Sequence, residues 1–131
     1  MKNKQYNAEL GGLESELAKL QAWVVDQALR VSETFAARLQ ALQARLPEKI
    51  GQLRTSRGAM MAMELVIDGD ADKPDAALTK ALVGKAYEHG LVLLSCGARG
   101  NVIRFLPALN ISDALINEGM DILENCLREL V

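Results

Sequence analysis

The sequence predicts an α+β fold in which helices pack on one face of a small, mostly antiparallel sheet. Leucine-rich stretches with helical spacing occupy the first 46 residues and the last 20, and short apolar runs bounded by glycine and aspartate lie between them. Half of the 131 residues are hydrophobic, but only two Phe, two Tyr and one Trp are present. The core must therefore be mainly aliphatic.

The first part of the chain is predicted to be helical. Apolar residues recur at alternating steps of four and three along an N-terminal seam, which consists of Tyr6, Leu10, Leu13, Leu17, Leu20 and Val24. This spacing is typical of a coiled coil. The helical pattern continues until Pro47 ends it. Ser32 or Thr34 could cap a second helix, so we expect two helices or one long bent helix.

The remainder of the chain alternates between strand and helix signals. The predicted elements are strands at 50–54, 59–67, 91–94 and 102–106, an acidic turn at 68–74, and helices that begin after Asp75 and after Asn110 or Ser112. His89 and Gly90 end the first of these helices, and a loop at 97–100 separates the last two strands. We expect residues 1–47 to form a helical N-terminal extension and 48–131 a small C-terminal domain.

Charge and cysteine content exclude several classes of protein. The formal net charge is -2, which gives no electrostatic reason to expect nucleic acid as a partner. No apolar run is long enough to cross a bilayer, and no signal peptide is recognisable, so no membrane partner is expected. Two cysteines are too few for a disulfide framework. We therefore expect a cytoplasmic protein.

Several residue types that often carry chemistry have simpler interpretations here. Asp68, Asp70 and Asp72 alternate like the first ligands of a calcium loop, but the glycine and glutamate that such a loop needs are absent. A polar turn is the favoured interpretation. His89 is expected to cap a helix. Cys96 and Cys126 are expected to be ordinary thiols that bind no metal.

Three sequence blocks carry a resemblance to a known family. They are Asp68-Gly-Asp with Lys73-Pro-Asp75, then Gly90-Leu-Val-Leu-Leu-Ser-Cys-Gly97, then Asn101-Val-Ile-Arg104. In this order they resemble the C-terminal small domain of class III pyridoxal-phosphate aminotransferases of the 4-aminobutyrate aminotransferase type. The resemblance covers residues from about 36 to 131. In one place it fails, because Arg54-Thr-Ser-Arg-Gly58 stands where the family has Arg-Gly-x-Gly, which puts the docking of this hairpin in doubt.

The resemblance implies transfer of an amino group from an ω-amino acid to a keto acid. It also implies that Arg104 binds the substrate carboxylate, since a planar guanidinium suits bidentate pairing. The alternative is that Arg104 is a strand residue that faces water or pairs with a neighbouring acid. The family's Schiff-base lysine, pyridine-facing aspartate and phosphate-binding turn do not precede residue 36. Lys80 and Lys85 are expected to be solvated rather than catalytic. We therefore expect a fragment of the family that has no catalytic residue. By itself, this chain is expected to bind no pyridoxal phosphate and to turn over no substrate.

Residues 6–31 resemble a different family. Tyr6-Asn-Ala-Glu-Leu, Leu17-Ala-Lys-Leu-Gln-Ala-Trp-Val24 and Leu29-Arg-Val31 are similar to the helix before the phosphate-binding loop of polyphosphate kinase 2 proteins. The loop itself does not follow. If both resemblances hold, the chain is a chimera joined near residue 31.

The alternative to a transaminase fragment is a non-catalytic oligomerising domain. A family fragment would expose an apolar face, and large exposed apolar faces usually bind a partner. We therefore expect a homo-oligomer that associates through its exposed apolar helix faces, including the N-terminal seam.

Overall fold

The computed structural model describes residues 2–55 and 58–131. Its elements are α1 (Lys2–Arg45), β1 (Ile50–Arg54), β2 (Met61–Ile67), β3 (Asp70–Pro74), α2 (Ala76–Glu88), β4 (Leu94–Cys96), β5 (Val102–Phe105) and α3 (Asp113–Leu130). This order confirms the predicted α+β class. None of the described helices is both long and apolar enough to cross a bilayer.

A single helix, α1, occupies the region where two helices were one of the expectations. It runs for 44 residues, which corresponds to a length of about 66 Å. The expectation of a single long helix is confirmed and the alternative, a break capped by Ser32 or Thr34, is wrong. The two candidate cap residues bond elsewhere. The Ser32 hydroxyl lies 3.4 Å from the carbonyl oxygen of Thr55, and the Thr34 hydroxyl lies 3.1 Å from a carboxylate oxygen of Asp113. Both side chains attach the helix to neighbouring elements.

All strand pairs of the sheet are antiparallel, and the strand order is β1-β2-β5-β4. The additional strand β3 pairs with the end of β2. It lies in the segment 68–74 that was predicted to be only a turn, which is a correction. The turn is confined to Asp68 and Gly69, both with positive φ, and the chain then returns along β2. Aspartate and lysine are poor strand formers, so this polar strand gives no apolar alternation to recognise.

The strand predicted at 91–94 is also displaced. It begins at Leu94 and ends at Cys96. Leu91 cannot join the sheet there because its N–H donates to the carbonyl of Ala86 at the end of α2. This hydrogen bond holds Leu91 beside the end of α2, and the strand begins three residues later, at Leu94.

The connection between β1 and β2 contains the departure from the family pattern. Positions 56 and 57 lie outside the described residues. Gly58 follows them with a φ of 67°, a conformation that glycine adopts without strain. The effect of this departure on docking stays a prediction.

Two helix starts and one helix end agree with the sequence. Asp75 caps α2 by accepting from the N–H of Leu78 at 2.9 Å, and Ser112 caps α3 by accepting from the N–H of Leu115 at 3.2 Å. His89 is the C-cap of α2, with Nδ1 2.9 Å from the carbonyl oxygen of Lys85. These caps satisfy backbone groups that a helix leaves unpaired at its ends.

The core lies between one face of the sheet and the three helices. The helices contribute Val31, Phe35, Leu39, Leu42, Leu78, Leu82, Ala86, Ile116, Met120, Leu123 and Leu127, and the sheet contributes Ile50, Met61, Met63, Leu65, Ile103 and Phe105. The rings of Phe35 and Phe105 are 5.8 Å apart, a favourable aromatic separation. The core therefore includes the second half of α1, whereas residues 2–26 are all exposed.

Charged contacts border the packing between α1 and α3. Arg30 lies 2.6 Å from Asp113, and its second nitrogen donates to the carbonyl of Ile111 at 2.5 Å. Further along α1, Arg38 pairs with Asp121, and Arg45 pairs with Glu124 at 2.7 Å. Because the partners advance along both helices together, α1 and α3 run in the same direction.

Substitution of Arg30 tests the importance of these contacts for stability. We expect Arg30→Ala to lower the free energy of unfolding by about 1–3 kcal/mol, because the carbonyl of Ile111 loses its donor and the carboxylate of Asp113 loses its charged partner. Chemical denaturation followed by circular dichroism measures this change. Lys19→Ala is the matched control, since Lys19 pairs with Glu16 in full solvent, and should cost about 0–1 kcal/mol. Equal losses for both variants would contradict the prediction.

Candidate functional site

The face of the sheet opposite the core carries an open groove of about 440 Å³. We call it the Arg104 groove. Its lining consists of Arg54, Met60, Met61, Ala62, Glu64, Cys96, Gly97, Ala98, Arg99, Asn101, Val102 and Arg104. Successive residues of a strand point to opposite faces, so the residues beside the buried ones on β2 and β5 point into this groove.

Arg104 occupies the centre of this face. It lies on β5, an inner strand, opposite Ala62 of β2 on one side and Leu94 of β4 on the other. Ala62 in turn pairs with Arg54 of β1. Adjacent strands are about 4.8 Å apart, so Arg54 and Arg104 lie two strands apart with only a methyl group between them. This small residue leaves room for a ligand between two guanidinium groups.

The groove carries an excess of positive charge, with three arginines and one glutamate in its lining. Glu64 lies 3.7 Å from Arg54, a long contact for an ion pair. Between the described residues, none of the ion pairs or side-chain hydrogen bonds involves Arg104. Its guanidinium is exposed and can pair with an anion from solution.

The loop that forms one wall of the groove is held in place by Asn101. This residue is buried; its side-chain nitrogen donates to the carbonyl of Leu65 at 3.0 Å, and its own carbonyl accepts from the N–H of Leu65 at 2.8 Å. Gly97 has a φ of 89°, and a Cβ atom there would lie 2.9 Å from Val102. The loop thus requires glycine at 97 and is anchored to β2.

Sequence reasoning found one member of the groove and missed others. Met61 and Met63 are buried in the core, whereas the side chain of Met60 is exposed and lines the groove. Arg54 and Glu64 received no functional interpretation. Their positions on the outward face of paired strands could have identified them once the register of β1, β2 and β5 was known.

The acidic segment has an internal structural role. A carboxylate oxygen of Asp70 accepts from the N–H of Asp72 at 2.9 Å, and this hydrogen bond, with Lys73 nearby, lowers the pKa of Asp70. In residues 2–55 and 58–131, no group of three or more potential ligands is placed to hold a metal ion. The calcium interpretation therefore has no geometric support in the described chain.

The lysines of α2 do not suit Schiff-base chemistry. Lys85 pairs with Glu129 of α3, and this hydrogen bond raises the pKa of Lys85 and lowers the pKa of Glu129. A Schiff-base lysine needs the opposite shift, since the neutral amine is the nucleophile. Lys80 is exposed, and no lysine among the described residues lines the Arg104 groove. Neither lysine of α2 thus lies in the Arg104 groove.

The two thiols differ in environment. Cys126 is buried against the core, and its burial raises its pKa. Cys96 ends β4, is half-buried and lines the Arg104 groove. The groove thiol is therefore the more accessible of the two.

Comparison with known proteins assigns the chain to a family. The sequence model described as "Aminotransferase class-III" matches residues 16–127, which is most of the chain. The chain belongs to the class III aminotransferase family. Such enzymes are pyridoxal-phosphate dependent, and the family resemblance inferred from the three sequence blocks is confirmed.

Two curated relatives and one solved structure illustrate the similarity. The chain is 48% identical over 91 residues to 4-aminobutyrate aminotransferase GabT of Escherichia coli, covering 70% of this chain and 21% of that protein. It is 42% identical over 107 residues to 5-aminovalerate aminotransferase DavT of Pseudomonas aeruginosa, covering 82% of this chain and 25% of that protein. A transaminase from the marine bacterium Virgibacillus superposes with a TM-score of 0.75 at 19% identity, covering 90% of this chain and 27% of that chain.

The extent of these matches bears on two predictions. The chain spans about a quarter of the length of the curated relatives that it matches. The family match begins at residue 16, about twenty residues before the predicted start near Ala36. It therefore crosses residue 31 and includes more than half of the segment that resembles polyphosphate kinase 2. That second resemblance, and a chimeric origin, stay predictions.

The Lys85–Glu129 pair predicts a pH dependence of stability. Because the pKa of Glu129 is lowered, its contribution is present above the ordinary value of 4.5 and is lost as the pH falls through the lowered value. Because the pKa of Lys85 is raised, its contribution is present below the ordinary value of 10.5 and is lost as the pH rises further.

We therefore expect the stability difference between wild type and Lys85→Gln to be constant between these two pH values and to vanish at more acidic pH. Denaturant unfolding at a series of pH values measures it. Lys80→Gln is the control, because Lys80 is exposed on the same helix, and its difference should show no such profile. A Lys85→Gln difference that grows below pH 4.5 would contradict the assignment.

Proposed function

We propose that this chain provides the carboxylate-binding part of a class III transaminase that acts on an ω-amino acid such as 4-aminobutyrate. The observation that carries the proposal is Arg104 at the centre of an arginine-rich groove, without a partner in the described part of the chain. The relatives named for 4-aminobutyrate and 5-aminovalerate support an ω-amino acid, because both compounds end in a carboxylate.

In this proposal Arg104 binds the substrate carboxylate through two parallel N–H···O hydrogen bonds. Arg54 adds positive charge from two strands away, and Ala62 keeps the space between the two arginines open. The carboxylate of Glu64 partly neutralises Arg54, so Arg104 is the primary partner of the substrate carboxylate. The chain binds and orients the carboxylate and carries out no bond-breaking step.

We further propose that the chain does not catalyse transamination by itself. The absence of a lysine from the lining of the groove and the raised pKa of Lys85 support this proposal. The chemistry of the family, in which pyridoxal phosphate accepts the amino group, then depends on residues outside this chain. Turnover by the purified chain, free of contaminating enzyme, would overturn the proposal.

Protection of Cys96 from alkylation tests the role of Arg104. In a Cys126→Ala background, we expect 4-aminobutyrate to slow alkylation of Cys96, whereas 4-aminobutyramide, which lacks the carboxylate, should not. Arg104→Gln should raise the concentration needed for protection by about 10–100-fold, since a bidentate charged hydrogen bond is lost. For Arg104→Lys, the concentration needed for protection should lie between those of wild type and Arg104→Gln. A lysine keeps the positive charge, but a single ammonium cannot reproduce the planar geometry of the guanidinium.

Lys80→Gln is the charge-matched control for this experiment, because Lys80 lies on α2, away from the groove, and it should leave protection unchanged. Equal protection by the acid and the amide would show that the carboxylate is not recognised. Unchanged protection in Arg104→Gln would assign binding to another group.

Cofactor binding has a separate test. We expect the purified chain, mixed with pyridoxal phosphate and desalted, to retain no visible Schiff-base absorption, because no lysine among the described residues lines the groove and Lys85 is paired with Glu129. Lys85→Met should give the same spectrum as wild type. A stable yellow adduct that disappears on replacing one particular lysine would show that the chain holds the cofactor.

A further inference from the structure

A second cavity, of about 210 Å³, lies at the end of the sheet where β4 begins and β5 ends, with the first turns of α3 as its opposite wall. We call it the end cavity. All of its described lining residues except Arg104 are apolar. Among the described residues, Arg104 is also the one that lines both the end cavity and the Arg104 groove. A guanidinium-bearing residue therefore borders an apolar space that the proposed function does not use.

The end cavity has a buried floor and an exposed rim. Leu93, Phe105 and Ile116 belong to the floor and are buried. Leu106 and Leu115 belong to the rim and are 62% and 56% exposed. Single exposed leucines are ordinary, but these two border a concave surface that continues into the core. Small-molecule sites have this form, with apolar walls and a few polar groups that fix the orientation of the ligand.

Gly119 keeps the cavity open. It lies in the interior of α3, where glycine is the least favourable residue apart from proline. A Cβ atom there would lie 3.6 Å from Cδ1 of Leu91, which is ordinary van der Waals contact. Neither close packing nor backbone conformation therefore requires glycine at this position. The consequence of the missing side chain is the space of the cavity, which Gly119 lines.

Arg104 stands beside the rim of the end cavity. It pairs across the sheet with Leu94, another lining residue, which is 52% exposed. Side chains of directly opposite residues lie on the same face of a sheet, with Cβ atoms about 5 Å apart. A carboxylate bound by Arg104 thus has an exposed leucine next to it. The polar contact and the apolar rim are close enough to be reached by one small molecule.

We propose that the end cavity binds the hydrocarbon chain of an aliphatic monocarboxylate whose carboxylate pairs with Arg104. This inference rests on the proposed function in taking Arg104 as the partner of a carboxylate. The volume exceeds the roughly 150 Å³ of an apolar cavity that holds benzene, so it accommodates a chain of about six to eight carbons.

The expected ligand differs from an ω-amino acid at the end of the chain that is remote from the carboxylate. The ammonium group of an ω-amino acid disfavours entry into the end cavity, because a charge loses its hydration among apolar walls. A methyl-terminated chain incurs no such cost. An aliphatic acid therefore occupies Arg104 without offering an amino group, and it competes with the ω-amino acid for the guanidinium.

Calorimetric titration with straight-chain acids tests the proposal. Affinity should rise about threefold with each CH2 group between butyrate and octanoate, because each added group buries apolar surface. The whole series should gain on the order of 100-fold, with an increasingly negative heat-capacity change of binding. Octanamide has the same chain without the charge, and it should bind about 10–100-fold more weakly than octanoate.

Three variants locate the hydrocarbon chain. Gly119→Met fills the cavity and should reduce the affinity for octanoate to about that for butyrate, whereas 4-aminobutyrate should still protect Cys96, because Gly119 does not line the groove. Leu106→Gln changes an exposed rim residue, so it does not disturb the core, and should weaken octanoate binding about 3–10-fold. Leu20→Gln is the matched control, since Leu20 is 55% exposed on α1, and it should bind octanoate as wild type does.

Two results would overturn the proposal. Octanoate that binds no more tightly than butyrate would leave the cavity to a protein contact. Octanamide that binds as tightly as octanoate, or octanoate binding that is unchanged in Arg104→Gln, would remove Arg104 from the site.

These results are distinguishable from a failure of the proposed function. If protection of Cys96 by 4-aminobutyrate depends on Arg104 while chain length has no effect, only the end-cavity proposal fails. If that protection is absent while the chain-length series behaves as expected, the assignment of an ω-amino acid fails and the end cavity remains a site for aliphatic acids.

Discussion

The packing of α1 against α3 is the interaction on which the rest of the structure depends. Val31, Phe35, Leu39 and Leu42 supply apolar area, and Arg30, Arg38 and Arg45 pair with acids beside it. Burial of aliphatic side chains provides most of the stability, while the arginines fix the direction and register of the two helices. Once α3 is fixed, α2 and the inner face of the sheet close the core around it.

Glu124 links the C-terminal ends of these two helices. It is buried, and one carboxylate oxygen lies 2.7 Å from both Arg45 of α1 and Arg128 of α3. A buried carboxylate without partners would be strongly destabilising, so the two arginines offset the cost of burying it. The end of α1 and the end of α3 are thus held by one side chain.

The sequence predicts most elements of this fold because its core residues follow helical or alternating spacing. It does not predict β3, since Asp70, Asp72 and Lys73 show no apolar alternation, nor the continuity of α1, since capping residues look alike whether or not they cap. For the site, the family resemblance identifies Arg104, but the neighbours Arg54 and Glu64 depend on strand register. Register arises from long-range pairing, which local sequence patterns do not encode.

The position of Arg104 on an inner strand has an evolutionary consequence. Hydrogen-bonded neighbours on both sides hold its backbone in place, so in the proposed role of Arg104 ligands of different length cannot be accommodated by moving this strand. In the proposed role of Arg104, ligand size is then set by the far wall of the groove, where the exposed side chain of Met60 lies just before β2 begins. Homologues with other chain-length preferences should therefore differ at that wall while keeping the guanidinium fixed.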